Sequence, residues 1–253
     1  MANRSDTAWI VRMQTRAHPD IRLFCFPYAG GGASIYRTWS GKLPLQVEVC
    51  AIQLPGRENR FREPAFSQLE PLIEKLAQEL QPFLTLPFAF FGYSLGALIS
   101  FELTRYLRRN ATLAPKHLFV AAHRAPQLTR RTETIHDLHG VAFIQALHRL
   151  GGTPEAVLQN QELMEMMSPM LRADFQIYED YDYKNVSPLA CPITAFGGEL
   201  DRTVSEAELA AWKEQTSNTF QLRMLLGGHF FLQSSQDILI QSVAQGLDQS
   251  LPA

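Results

Sequence analysis

Short apolar runs closed by turn residues alternate along the 253-residue chain with longer stretches of helical period, and this alternation restricts the fold more than any other feature. The runs are 22–27 (RLFCFP), 47–54 (VEVCAIQL), 87–91 (PFAFF), 117–122 (HLFVAA), 191–196 (CPITAF) and 220–226 (FQLRMLL). Such near-continuous apolarity marks strands covered on both faces, as in a parallel sheet between layers of helix. Helical period is read at 68–83, 95–109, 205–215 and 235–249. In the second of these, Leu95, Leu98, Ile99, Leu103, Tyr106 and Leu107 make one apolar stripe. The expected architecture is α/β, a mostly parallel central sheet flanked by helices, in a single domain over 1–253.

No convincing strand is found in 123–190. Helical period returns at 141–150, 156–167 and 169–181, so the stretch at about 127–185 reads as a helical lid inserted on the sheet. Insertions of this kind often cap a site.

Charge and composition remove several function classes. With 23 Lys+Arg against 25 Asp+Glu the formal net charge is −2, which lacks the basic excess that drives non-specific nucleic-acid binding. A chain of 253 residues buries enough surface to build its core without disulfide or metal staples. Cys25, Cys50 and Cys191 each lie in apolar surroundings and are expected to be buried free thiols. Residues 82–101 carry no formal charge, but Pro87, Gly92, Ser94 and Gly96 interrupt them, which suits strand, turn and helix better than a membrane span. The N-terminal segment holds Arg4, Arg12 and Arg16 without an apolar h-region, so no secretory signal is expected and a cytoplasmic location is; a monomer without membrane association is expected as well.

The chemistry-bearing signal is Gly92-Tyr93-Ser94-Leu95-Gly96, set between PFAFF and the helix that begins at Leu95. A nucleophile on a sharp strand-to-helix turn needs small residues two before and two after it, because neighbouring backbone crowds there. Serine also needs a base and a carboxylate that orients it. His229 follows FQLRMLL through Gly227-Gly228, and Asp201 follows CPITAF, with Glu199 as its local rival. Both lie past the carboxyl ends of strands, where ligands gather in open α/β sheets. The order Ser94, Asp201, His229 is that of nucleophile, acid and base in α/β-hydrolases. The run Gly30-Gly31-Gly32 fits neither a dinucleotide nor a P-loop template, since Ile35 stands at the last glycine position and no G-K-[ST] follows. It reads instead as a turn whose backbone N–H, assigned to Ala29, forms an oxyanion hole with Leu95 N–H. His136 and His139 lack further ligands and read as a solvated helix face, not a metal site.

Several segments together resemble the type II thioesterases, stand-alone editing enzymes of non-ribosomal peptide and polyketide synthesis. They are FCFPYAGGGAS (24–34), LPGRENRFREPAF (54–66), FFGYSLGALISFEL (90–103), HRAP (123–126), GGELDRTVS (197–205) and GGHFFL (227–232). The resemblance implies an α/β-hydrolase fold, a triad of Ser94, Asp201 and His229, and oxyanion donors at Ala29 and Leu95. HRAP departs from it, since a small residue is expected before the arginine. The implied activity is hydrolysis of acyl or aminoacyl thioesters from the phosphopantetheine arm of carrier proteins, with no cofactor of the enzyme's own. The mechanism would equally serve an esterase or acyltransferase of the same fold. A carrier-binding module without catalysis is the reading from another class.

For the acyl chain, Met164, Met166, Met167 and Met170 with Phe175 read either as an adaptable pocket or as plain helix-core packing. Tyr28 and Phe230 join them as candidate substrate contacts. Arg124, Arg130 and Arg131 read as solvated surface or as steering groups for an acidic carrier protein.

Overall fold

Seven strands, β1 (Ile10–Val11), β2 (Ile21–Phe26), β3 (Val47–Ile52), β4 (Phe88–Tyr93), β5 (Leu118–Ala121), β6 (Ile193–Gly198) and β7 (Phe220–Leu225), form one sheet in the order β1-β3-β2-β4-β5-β6-β7. The computed structural model describes residues 7–129 and 134–250; Arg4, Arg130 and Arg131 lie outside them. Among the described residues strands β2 to β7 run parallel and β1 is antiparallel, pairing Ile10 with Ile52.

The period of two along each strand sorts side chains between two cores. Phe24, Phe26, Phe88 and Phe90 face a cluster with α2 (Leu69–Leu80) and α3 (Leu95–Ala111). Leu23, Cys25, Phe91 and Tyr93 face the opposite cluster, closed by α1 (Trp39–Lys42) and α9 (Gln236–Asp248). All three cysteines are buried free thiols, and burial raises the thiol pKa of Cys191 to about 12. The uncharged stretch 82–101 is divided between β4 and α3, and among the described residues no helix is long and apolar enough to cross a membrane.

Between β5 and β6 lies the helical insertion: α4 (Gly140–Leu150), α5 (Glu155–Leu158) and α6 (Gln161–Glu179), with a core of its own around Phe143, Leu147, Leu158 and Leu171. The expected break before residue 169 is absent, because α6 continues through Pro169. Proline removes the partner of the carbonyl four residues back, but Glu165 and Pro169 both lie on the exposed face, where the freed carbonyl is open to solvent and costs less than it would in the core. After β6 come α7 (Glu206–Ala210), whose Ser205–Glu208 capping box fixes its start, and then α8 (Phe231–Ser234).

Strand order reverses at β2, which has β3 on one side and β4 on the other. The chain leaving β2 therefore lies beside the chain leaving β4, with Phe26 in register with Gly92. On the far side, Gly198 of β6 is in register with Leu225 of β7, so the loops carrying Asp201 and His229 are also neighbours. Sheet topology thus gathers four loops at one edge of the molecule.

Candidate active site

Ser94 occupies the turn between β4 and α3 with φ +51° and ψ −115°, a strained conformation for a residue with a side chain. The flanking glycines make that turn possible. A Cβ on Gly92 would stand 2.2 Å from Gly96 O, and one on Gly96 would stand 2.2 Å from Phe26 O. No side chain fits at either position without moving backbone. As the first residue of α3, Leu95 has an N–H without an acceptor inside the helix, beside Ser94 and at the positive end of the helix dipole.

Ser94 Oγ lies 3.2 Å from His229 Nε2, and His229 Nδ1 lies 2.8 Å from Asp201 Oδ2. A carboxylate only accepts, so the ring proton sits on Nδ1 and Nε2 is free to accept from the serine hydroxyl. Asp201 is enclosed, with 1% of its side chain exposed. Burial pushes its carboxyl upward, but the hydrogen bonds from His229 and Thr203, and attraction to the imidazolium whenever the ring is protonated, outweigh burial and hold it below its ordinary value. Glu199, the rival acid, is exposed.

Two further residues hold this chain, and neither was read from the sequence. Thr203 donates its hydroxyl to Asp201 Oδ1 at 2.6 Å, its N–H donates to the same oxygen at 2.7 Å, and its Oγ1 stands 2.9 Å from His229 Nδ1. An Asp followed two residues on by Thr at a strand's end is a turn signal that would have found it. Tyr93, between the first glycine and the serine, donates its hydroxyl to His229 O at 2.5 Å and accepts Leu232 N–H at 3.3 Å. It ties the histidine loop to the serine turn.

A cavity of about 140 Å³ opens over Ser94 and His229, walled by Tyr28, Ala29, Leu95, Phe230 and, from the lid, Leu147, Leu150, Leu171, Phe175 and Tyr178. Tyr28 and Phe230 meet edge to face at 5.2 Å. A larger groove of about 1290 Å³, between α2, α3 and the chain after α6, shares no lining residue with this cleft.

The methionines do not join the cleft wall. Met164 and Met170 are buried in the lid's own core, and Met167 packs against it from a half-buried position. Met170 also rests on Gly56, where an added Cβ would stand 3.2 Å from its Cγ. Helix-core packing is thus their role, because the face of α6 that turns to the cleft carries Leu171, Phe175 and Tyr178 instead. Met166 is exposed.

Arg124, expected in solvent or steering a partner, is buried; it donates to Thr129 O at 3.1 Å and faces Glu208. His136 is not on a solvated helix face: it precedes α4, half-buried, with Nδ1 2.5 Å from Glu179 Oε2. Among the described residues no group of three or more His, Cys, Asp or Glu side chains is arranged to hold a metal ion. His123, at the departure from the family pattern, lines the cleft. Burial lowers it to about 4, so it is neutral at pH 7, with Nδ1 donating to Arg124 O at 2.6 Å.

Comparison with known proteins gives the family. A family model described as the thioesterase domain matches residues 21–247. The gramicidin S biosynthesis protein GrsT of Aneurinibacillus migulanus is 47% identical over 239 residues, covering 94% of this chain and 93% of that one. The protein named linear gramicidin dehydrogenase LgrE, from Brevibacillus parabrevis, is 45% identical over 250 residues, covering 98% and 95%. Among solved structures, the type II thioesterase BorB of the borrelidin biosynthetic cluster superposes with a TM-score of 0.88 at 33% identity, covering 97% of this chain and all of that one. With a parallel sheet of α/β-hydrolase type, a helical insertion and this family match, the chain belongs to the thioesterase family, among the type II thioesterases.

Proposed function

We propose that the protein hydrolyses acyl or aminoacyl thioesters held on the phosphopantetheine arm of carrier proteins in non-ribosomal peptide or polyketide synthesis, clearing misloaded or stalled groups. The observation that carries this reading is the hydrogen-bonded series Ser94, His229, Asp201 beneath a lid, in a chain that belongs to the type II thioesterases. A dehydrogenase reading, which the name of LgrE would suggest, finds no support in the glycine run after β2, because that run lacks the G-x-G-x-x-G spacing.

In this mechanism His229 Nε2 takes the Ser94 proton as Oγ attacks the thioester carbonyl. The N–H groups of Ala29 and Leu95 receive the oxyanion, and Asp201 holds the Nδ1–H tautomer and the imidazolium charge. The sulfur is a good leaving group, since its thiol pKa is near ~8.5, and the imidazolium gives its Nε2 proton to it, so that the arm departs as the thiol and His229 is neutral again. His229 then draws a proton from water, which hydrolyses the acyl-enzyme and returns the serine. Tyr28, Phe230 and the lid's Phe175 flank the acyl chain in the cleft.

The test presents acetyl, longer acyl and aminoacyl groups on a carrier-protein arm and on the free thiol analogue N-acetylcysteamine. Carrier-bound thioesters are expected to turn over faster than the free analogues, and Ser94→Ala to lower kcat by about 10⁴–10⁶-fold. A Ser94→Ala variant as fast as the parent would support a carrier-binding module without catalysis. Oxygen-ester turnover outrunning every thioester would support an esterase.

A further inference from the structure

Asp174 sits on the lid's longest helix, yet it is 1% exposed. Its Oδ2 accepts Gly30 N–H at 2.7 Å and Arg57 Nη1–H at 2.7 Å, while Oδ1 accepts Arg57 Nη2–H at 2.8 Å. Arg57 is also enclosed; its Nε–H donates to Pro55 O at 3.2 Å and its Nη1 reaches Gly31 O at 3.5 Å. A buried ion pair is a poor way to stabilise a fold, because desolvation offsets much of the attraction and apolar residues of equal size often do as well. What this pair does that apolar residues cannot is hold two backbone groups of the loop after β2.

That loop carries Ala29. Gly31 N–H donates to Tyr28 O at 2.9 Å. In a trans peptide the carbonyl and N–H point in opposite directions, so engaging Tyr28 C=O turns Ala29 N–H the other way. The next N–H, that of Gly30, goes to Asp174. Gly30 stands at φ +80°, and an added Cβ there would meet Leu171 Cδ2 of α6 at 2.7 Å. Leu171 and Asp174, three residues apart on one helix face, are thus the seat on which the loop rests. None of these bonds involves Ser94, Asp201 or His229.

We propose that Asp174, together with Arg57, is a positioning residue for the oxyanion loop, so that the hole is complete only while the lid helix α6 is seated. This rests on Ala29 N–H being an oxyanion donor. Chemistry is thereby coupled to the lid: a substrate that lifts α6 frees Gly30, and the loop loses its aim until the helix returns.

The test uses the full-length enzyme with an acyl carrier protein as substrate and a trifluoromethyl ketone analogue of the thioester, whose serine adduct places an oxyanion in the hole. The double variant Arg57→Met/Asp174→Leu removes both charges together and leaves Gly30 N–H without its acceptor. It is expected to keep a thermal midpoint close to the parent, to lose about 30–300-fold in kcat with KM little changed, and to lose analogue affinity in parallel. Asp174→Asn, which keeps an oxygen for Gly30, is expected to lose less than Asp174→Leu on both readouts. A folded double variant with parental kcat overturns the proposal, as does a lower kcat with unchanged analogue affinity. If the double variant does not fold, Asp174→Asn decides: it removes the charge that pairs with Arg57 and weakens the bond to Gly30, so a several-fold lower kcat with a parallel loss of analogue affinity is expected, and parental values of both overturn the proposal. Ala29→Pro, which deletes the N–H, separates the two ideas. Full activity in that variant removes Ala29 as donor, whereas loss there with none in the folded double variant removes only the lid coupling.

Discussion

Thr203 Oγ1 stands within 3 Å of both partners of one hydrogen bond, 2.6 Å from Asp201 Oδ1 and 2.9 Å from His229 Nδ1. Its hydroxyl proton has one good destination, the carboxylate, and its lone pair is then left to share the Nδ1–H. Replacing it with valine keeps the shape and removes a charge-assisted bond of about 1–2 kcal/mol. We expect Thr203→Val to lower kcat by about 5–30-fold on an acyl carrier protein, with KM nearly unchanged and the thermal midpoint lower by only about 2–8 °C. Kinetics indistinguishable from the parent would show that the Asp201–His229 contact alone aligns the ring. Thr203 was open to discovery from sequence, since its spacing from Asp201 is a local turn pattern. Asp174 was not: Arg57 and Gly30 are far from it along the chain, and an acid at its position on a helix reads as surface.

The lid helices show how far periodicity reaches and where it stops. The apolar spacing over 141–181 places helices on the sheet, but it does not say which apolar face turns toward the serine. Both faces of α6 are apolar over part of their length, so Met164 and Phe175 look equivalent in sequence while one packs inside the lid and the other lines the cleft. The two roles separate experimentally. Met164→Ala is expected to lower unfolding free energy by about 2–4 kcal/mol while leaving the ratio of long-chain to acetyl turnover unchanged. Phe175→Ala is expected to move that ratio toward bulkier chains by about tenfold, the size of one or two methylenes in an apolar pocket. Measured together in denaturant melts and acyl-chain competition, equal effects on selectivity would contradict the assignment. The boundary between 167 and 169 fails for a related reason: the cost of a proline in a helix depends on which face it occupies, and that face is set by tertiary contacts. Strand β1 escaped notice because two residues carry no period at all.

At the scale of the molecule, what could be read from sequence was local: strand, turn and helix in succession, and the order in which loops reach the carboxyl edge of the sheet. What could not be read depends on long-range enclosure, and two buried histidines make that enclosure measurable. Burial lowers His117 and His123 to about 4 from the usual 6.5. His117 bridges Thr194 Oγ1 at 2.8 Å and Ser250 Oγ at 3.0 Å and stacks on Phe119, while His123 lies between Tyr178 and Trp212. Both are therefore neutral in the folded protein at pH values where the unfolded chain has already taken up their protons. The sign follows from that difference: stability is full above about pH 6.5, falls as pH drops toward about 4, and levels off below, at up to about 1.4 kcal/mol per pH unit for each histidine. Denaturant unfolding between pH 7 and 5 measures the slope directly. His117→Gln and His123→Gln are each expected to reduce it by up to that amount, whatever they cost at pH 7, because glutamine cannot take the proton. Variants whose stability runs parallel to the parent across this range would mean that neither ring is kept neutral by the fold.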